Sequence, residues 1–169
     1  MKLALLADIH GNHLALEAVL KSVKTYEVNK LLIAGDFVGY YYWPKEVFEL
    51  LTPWDVTAIR GNHEEMLIKA KGDSGFLKNV DAKYGNGLRV ALELLTDKQI
   101  DWLSNLPFSL ELNVEDRRIL LCHGSPWDHD FYIYPDADED TIEKCVSINY
   151  DCIVLGHTHY PMIHRSNNT

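Results

Sequence analysis

The spacing of hydrophobic positions changes several times along the chain, and each change marks an element. Residues 3–7 form a short apolar run between polar residues, as a buried strand requires. Leu16, Val19, Leu20 and Val23 then recur at the i, i+3, i+4, i+7 spacing of an amphipathic helix. Residues 30–34 read as a second strand, Pro44 suits the first turn of a helix running to about Leu51, and residues 56–60 make a third strand. This β-α-β-α-β opening predicts strands packed beneath helices. Residues 63–105 read as largely helical, broken near Gly72–Gly75 and Gly85–Gly87, with Thr96 and Gln99 spaced as a capping box for the last helix. Residues 108–114 and 117–122 flank Glu115-Asp116 as a hairpin. An aromatic loop over 127–134, a helix over 138–147 and a strand over 151–155 follow, and residues 162–164 are expected to begin one more strand.

No linker, repeat or low-complexity stretch interrupts this order, so residues 1–169 are read as a single domain. With 47% apolar residues the chain can close one core without disulfides. Its three cysteines, Cys122, Cys145 and Cys152, include no Cys-x-x-Cys pair and an odd count, which suits free thiols in a reducing compartment. Cys122 and Cys152, inside strands, are expected in the core. The opening apolar run stops at Asp8, short of the roughly 7–15 residues of an export signal, and nothing approaches the roughly 18 of a membrane span. The expected location is the cytoplasm, away from membranes. A formal charge of −9, from 16 basic and 25 acidic residues, disfavours nucleic acid as a partner, because phosphate neutralisation needs clustered Lys and Arg.

Position carries the functional signal. Nearly every predicted strand ends in Asp, Asn or His beside glycine: Asp8-Ile9-His10-Gly11, Gly35-Asp36, Gly61-Asn62-His63, His123-Gly124 and Gly156-His157-Thr158-His159. Ligands of open α/β sheets bind beyond the carboxyl ends of strands, so these clusters are expected to converge. Carboxylate, imidazole and amide donors without thiolate suit divalent transition metals and exclude a zinc-finger type of site. One metal with spare ligands and two metals sharing one are both open on these residues; seven candidates favour two. Tyr40-Tyr41-Tyr42-Trp43 reads either as a stacking surface for a base or aryl group or as packing for its own loop. His13, His129 and His164 read as solvated or capping residues, with His129 the exception to watch, because it can line a pocket with Trp127 and Tyr132.

The set Asp8-x-His10, Gly35-Asp36, Gly61-Asn62-His63-Glu64, His123 and Gly156-His157-x-His159 resembles the calcineurin-like metallophosphoesterases. Gly35-Asp36-Phe37-Val38-Gly39-Tyr40 and His123-Gly124-Ser125-Pro126 resemble, more narrowly, small prokaryotic phosphodiesterases of that superfamily. The resemblance implies a four-layer αββα sandwich of two mixed sheets flanked by helices, and two divalent metal ions per chain, manganese ahead of iron, zinc, nickel or magnesium. It implies Asp8, His10 and His159 on the first ion, Asn62, His123 and His157 on the second, and Asp36 bridging. Asn62 also steadies the phosphate, and His63 protonates the leaving group. The implied reaction is hydrolysis of phosphodiesters or nucleotide-type esters by a hydroxide bridging the metals. A phosphomonoesterase or protein phosphatase, and a catalytically silent scaffold, are the alternatives. The site carries no Arg clamp for terminal phosphate oxygens, which suits a diester; Arg60, just before Gly61, is expected to point away along its strand.

Two departures stand out. The subfamily carries Gly-Tyr-Gly-Pro where this chain has Gly39-Tyr40-Tyr41-Tyr42-Trp43-Pro44, a bulkier loop near the expected substrate. Members also continue past the Gly-His-x-His motif through an Asn-Pro-Gly-Ser turn, so the expectation is that C-terminal strands lie outside these 169 residues. A sheet edge left bare in that way invites pairing, and a homo-oligomer is expected.

Overall fold

A computed structural model describes residues 1–165 and places six strands and seven helices in them. β1 (Leu3–Leu6), β2 (Lys30–Ile33) and β3 (Val56–Ala58) form a parallel sheet in that order, joined by α1 (His13–Thr25) and α2 (Pro44–Leu51). Four helices follow: α3 (Asn62–Gly72), α4 (Ser74–Tyr84), α5 (Gly87–Leu94) and α6 (Asp97–Ser104). A second sheet contains β4 (Ser109–Val114), β5 (Arg117–Cys122) and β6 (Cys152–Val154), with β4 antiparallel and β6 parallel to the central β5. Helix α7 (Glu139–Val146) lies between β5 and β6 in sequence and brings Cys145 close to Cys122.

The apolar run in β2 is continuous because both of its faces are covered. Leu31 and Ile33 join a core with Leu16 and Leu20 of α1, Val47 of α2 and Leu67 of α3, while Leu32 and Ala34 join Ile59, Ile119, Leu121 and Val154 between the two sheets. A one-residue slip of β2 would exchange these two sets, so the packing fixes its register. The result is the αββα sandwich. Start signals act as read from the sequence: Thr96 and Gln99 cap α6 reciprocally, and the Asp138 side chain accepts from the Thr141 N–H at the start of α7. The β4–β5 hairpin turns at Glu115, whose φ of 53° suits a tight two-residue connection.

Two expectations need correction. Residues 162–164 form no strand, and Ile163 is 88% exposed, because no neighbouring strand among the described residues pairs with them. Cys152 is exposed rather than in the core, since β6 is a sheet edge; all three cysteines are free. β1 is likewise an edge, and its Leu5 is 51% exposed. No helix among the described residues is long and apolar enough to cross a membrane.

Candidate metal centre

Each polar cluster leaves the C-terminal end of a strand: Asp8 and His10 follow β1, Asp36 follows β2, Asn62 and His63 follow β3, His123 follows β5, and His157 and His159 follow β6. The first two loops stay paired past the strands. Asp8 N–H donates to the Gly35 carbonyl at 3.1 Å, His10 N–H to Asp36 at 2.8 Å and Gly11 N–H to Phe37 at 2.8 Å. The sheets are tied together at this end by His157 N–H donating to Asp8 Oδ1 at 2.9 Å and by His123 Nδ1 donating to the Ala34 carbonyl at 2.6 Å. Turning the side chains inward requires unusual backbone: Asp8, His10, Asp36, His157 and His159 all have φ between 49° and 71°, the left-handed region that side chains other than glycine seldom adopt.

Two groups of donors result. Asp8, His10, Asp36 and His159 form one, Asp36, His123 and His157 the other, and within each group the donor atoms lie within 4.8 Å of one another. Ligands at about 2.0–2.2 Å from a shared ion are at most about 4.4 Å apart, so both groups are close to coordinating size. Asp36 Oδ2 belongs to both sides, 3.5 Å from His10 Nε2 and 3.4 Å from His123 Nε2. Asn62 Oδ1 joins the second group, 3.0 Å from His123 Nε2.

The imidazoles fit metal binding in a further respect. A carbonyl only accepts, so the nitrogen facing it carries the hydrogen. His10 Nδ1 donates to Val38 at 3.0 Å, His123 Nδ1 to Ala34, and His157 Nε2 to Asp130 at 3.2 Å. In His10 and His157 the other nitrogen is thereby directed at the cluster with its lone pair available, and in His123 it faces the cluster carrying a proton that a metal would displace. His10 Nε2 and His159 Nε2 lie 2.9 Å apart beside two carboxylates, an arrangement that a shared cation satisfies.

Burial pushes His10 down to about 4, so it is neutral and ready to ligate. Burial, with the charge of Asp36, pushes Asp8 up. For Asp36 burial acts upward as well, but the hydrogen bond and charge of His123, with His63 and His10, outweigh it and hold the carboxyl well below the usual range. The partner effect appears on His123: burial opposes its charge, yet Asp36 raises it to about 9. Without metal, His123 therefore holds a proton where a cation would sit.

His63 stands outside both donor groups. Its N–H donates to Asp36 Oδ1 at 2.9 Å, and its ring packs edge-on against His10 and beside Tyr40, lining the cleft. Gly39 makes that possible: at φ 125° a Cβ there would run into His63 Nδ1. Gly61 is similarly required, since its Cβ would enter the Asp36 carboxylate.

Glu64, quoted in the motif without a role, proves central. It is completely buried, and its Oε2 accepts from the N–H of Asp36 and of Gly61, both at 2.8 Å, while Oε1 accepts from Phe37 at 2.9 Å and Val38 at 3.3 Å. One carboxylate thus joins the loops after β2 and β3, and it caps α3 in place of the side chain that Gly61 lacks. Burial above all, and the charge of Asp36, raise its pKa against the pull of the N–H groups, so its charge depends on those contacts alone. Four donors on two oxygens leave no lone pair for a proton, so the pocket accommodates the carboxylate. The available signal was its position three residues after the turn glycine, the spacing of a helix-capping acid.

The remaining candidates divide. Tyr40 faces the cleft, whereas Tyr41 and Tyr42 are exposed and Trp43 packs near His13. His129 sits beside His123 and 3.6 Å from Glu65, while Trp127 packs on Phe131 and under Lys144, away from the cleft; Tyr132 does line it. Arg60 does not point away. Its Nε donates to the Leu106 carbonyl at 2.9 Å and its guanidinium lies over the Phe108 ring, which turns it into the outer cleft wall. Tyr84 and Tyr134, unremarked in the sequence, complete the rim.

Comparison with known proteins identifies the family. An uncharacterised protein of Methanocaldococcus jannaschii is 29% identical, over 95% of this chain and 63% of its own length. The crystal structure of a hypothetical protein from Pyrococcus horikoshii superposes with a TM-score of 0.82 at 25% identity, covering 95% of this chain and 70% of that one. A metallophosphoesterase from Sphaerobacter thermophilus gives 0.71 at 27% identity, covering 95% and 62%. The chain thus spans less than two thirds of the curated relative. The family model for the calcineurin-like phosphoesterase superfamily domain matches residues 1–169, and the chain belongs to that superfamily.

Proposed function

We propose that this domain is a two-metal phosphoric ester hydrolase of the cytoplasm, acting on phosphodiesters ahead of monoesters. The observation that carries the reading is the pair of donor groups converging on Asp36 Oδ2, with His10, His123 and His157 each braced by a backbone carbonyl. In this reading Asp8, His10 and His159 would hold one ion, Asn62, His123 and His157 the other, and Asp36 would serve both. Imidazole, carboxylate and amide donors without thiolate suit manganese first, with iron, zinc, nickel or magnesium able to substitute. Divalent cations bound there would supply a locally positive site in a chain of net charge −9 and would acidify a water for attack on phosphorus near neutral pH.

The chain's own residues do the rest. Asn62, at the N-terminus of α3, presents its amide to a phosphate oxygen. His63 is the proton donor: burial holds its pKa below the usual imidazole value against the charge of Asp36, and an arriving anionic phosphate would raise it. The ring takes up its proton with substrate and delivers it to the departing oxygen. No Lys or Arg lines the inner cleft among the described residues, so no cationic side chain there clamps the terminal oxygens of a monoester.

The test compares bis-p-nitrophenyl phosphate with p-nitrophenyl phosphate, using protein stripped of metal and reloaded with Mn²⁺. Faster turnover of the diester is expected; preference for the monoester overturns the diester assignment. Absence of turnover with two ions bound supports a silent scaffold instead. His63→Ala is expected to keep its metal content and lose about 10²–10⁴-fold in turnover. Loss of metal from that variant would refute the acid role.

A further inference from the structure

The metal-ligand groups open into two hollows that meet. The inner one, about 210 Å³, contains Asp36, His63 and Tyr40; the outer, about 570 Å³, is walled by Arg60, Met66, Lys69, Phe76, Tyr84 and Tyr132. Asn62, Tyr84, Tyr132 and His157 belong to both, so one continuous cleft runs from the metal site outward. The outer hollow falls within the roughly 300–1,000 Å³ of small-molecule pockets, and phosphate chemistry at the inner end leaves it without an occupant.

Its walls are apolar rings held in place before any ligand arrives. Tyr132 stacks on His157 with ring centroids 3.9 Å apart and on Tyr134 at 5.5 Å. Phe76 packs against the main core and carries Lys69 Nζ over its face at 4.3 Å, and Tyr84 is set edge-on to Tyr40. Charge selects further. Arg60 and Lys69 are opposed in the same hollow by Glu65 and Asp130, so it is close to neutral and offers no net attraction to a second phosphate. Flat rings in fixed positions, with a few polar groups at the margin, suit a neutral aromatic group, which gains about 1–3 kcal/mol per stacked base.

We infer that the outer hollow binds the nucleobase-sized aromatic group of a phosphodiester whose phosphorus lies at the inner end. This rests on the phosphoesterase reading above, and the test separates the two. Manganese-reloaded full chain is assayed on thymidine 5′-(p-nitrophenyl phosphate) and on methyl p-nitrophenyl phosphate, which share a leaving group. A KM at least about tenfold lower for the thymidine ester is expected, in line with the loss of one stacked base. The KM ratio between the esters should collapse below about threefold in Phe76→Leu and in Tyr132→Ala, the second at an exposed position that the fold does not depend on. Independently, saturation-transfer NMR of the metal-free protein with free thymidine should transfer magnetisation to the base protons in the wild type and much less in either variant. Equal KM values, with no transfer to thymidine, overturn the inference while leaving the hydrolase intact. Transfer to thymidine without turnover of either ester upholds the hollow and overturns the hydrolase. A phosphopeptide with a KM below that of the thymidine ester would refute the assigned ligand class.

Discussion

Replacing Glu64 by Gln changes one oxygen of a buried carboxylate into an amide nitrogen and little else in shape. The structure sets the cost. Oε1 and Oε2 each accept two backbone N–H groups, so whichever oxygen is replaced, two buried donors face a third donor. Leaving a buried donor unsatisfied costs about 1–3 kcal/mol, so Glu64→Gln should lose about 2–6 kcal/mol against a total stability of about 5–15 kcal/mol. The variant should still fold, with Tm lowered by roughly 8–16 °C for a mid-range loss in a domain of this size. Urea unfolding of the metal-free protein measures the free energy directly. The same N–H groups fix the loop that carries Asp36, so calorimetric titration with Mn²⁺ should show affinity weakened by about 10–100-fold. A loss under about 1 kcal/mol would refute the reasoning, because it would mean that the pocket holds the neutral acid, which an amide mimics.

Three further outcomes are expected. Gly39→Ala places a side chain at φ 125° against His63 Nδ1; it should cost about 1–3 kcal/mol in a thermal melt and lower kcat more than it raises KM, because the displaced ring is the proton donor. Metal binding should release a proton from His123, whose pKa Asp36 raises to about 9 against the opposing effect of burial. In the metal-free protein its contribution to stability is complete below about 6.5 and lost as pH rises through about 9, so metal affinity should climb about tenfold per pH unit across that window; titrations in buffers of different ionisation heat count the proton, and a count of zero overturns the assignment. Finally, Cys152 should react with a disulfide reagent in the native protein well before Cys122, which burial pushes up to about 12, and peptide mapping of the labelled chain distinguishes them.

Much of the site was legible in the sequence because strand ends and ligand types coincide. Five motifs each pair a short apolar run with Asp, Asn or His, and parallel strands within each sheet deliver such residues to one end. Glu64, Arg60 and the outer hollow were harder to read. Glu64 acts through backbone N–H groups of Asp36, Phe37 and Val38, nearly thirty residues away, and no spacing rule links them. Arg60 lies just past β3, where the Leu106 carbonyl and the Phe108 ring, distant in sequence, fix its direction. Cys152 looked like core because its neighbours Ile153 and Val154 are apolar, whereas burial at a sheet edge depends on what lies beside it.

The left-handed corners at Asp8, His10, Asp36, His157 and His159 bear on how such a chain evolves. Each costs about 1 kcal/mol or more relative to glycine, so together they forgo about 5 kcal/mol, comparable to the whole stability of a modest domain. A lineage under selection for folding alone would drift toward glycine at these five positions and become more robust. Asp and His at these corners gain nothing for folding, so under the proposed function it is their side chains that keep them there. It also means that a silent descendant of this domain should be recognisable first by glycine at those corners, before any change elsewhere in its fold.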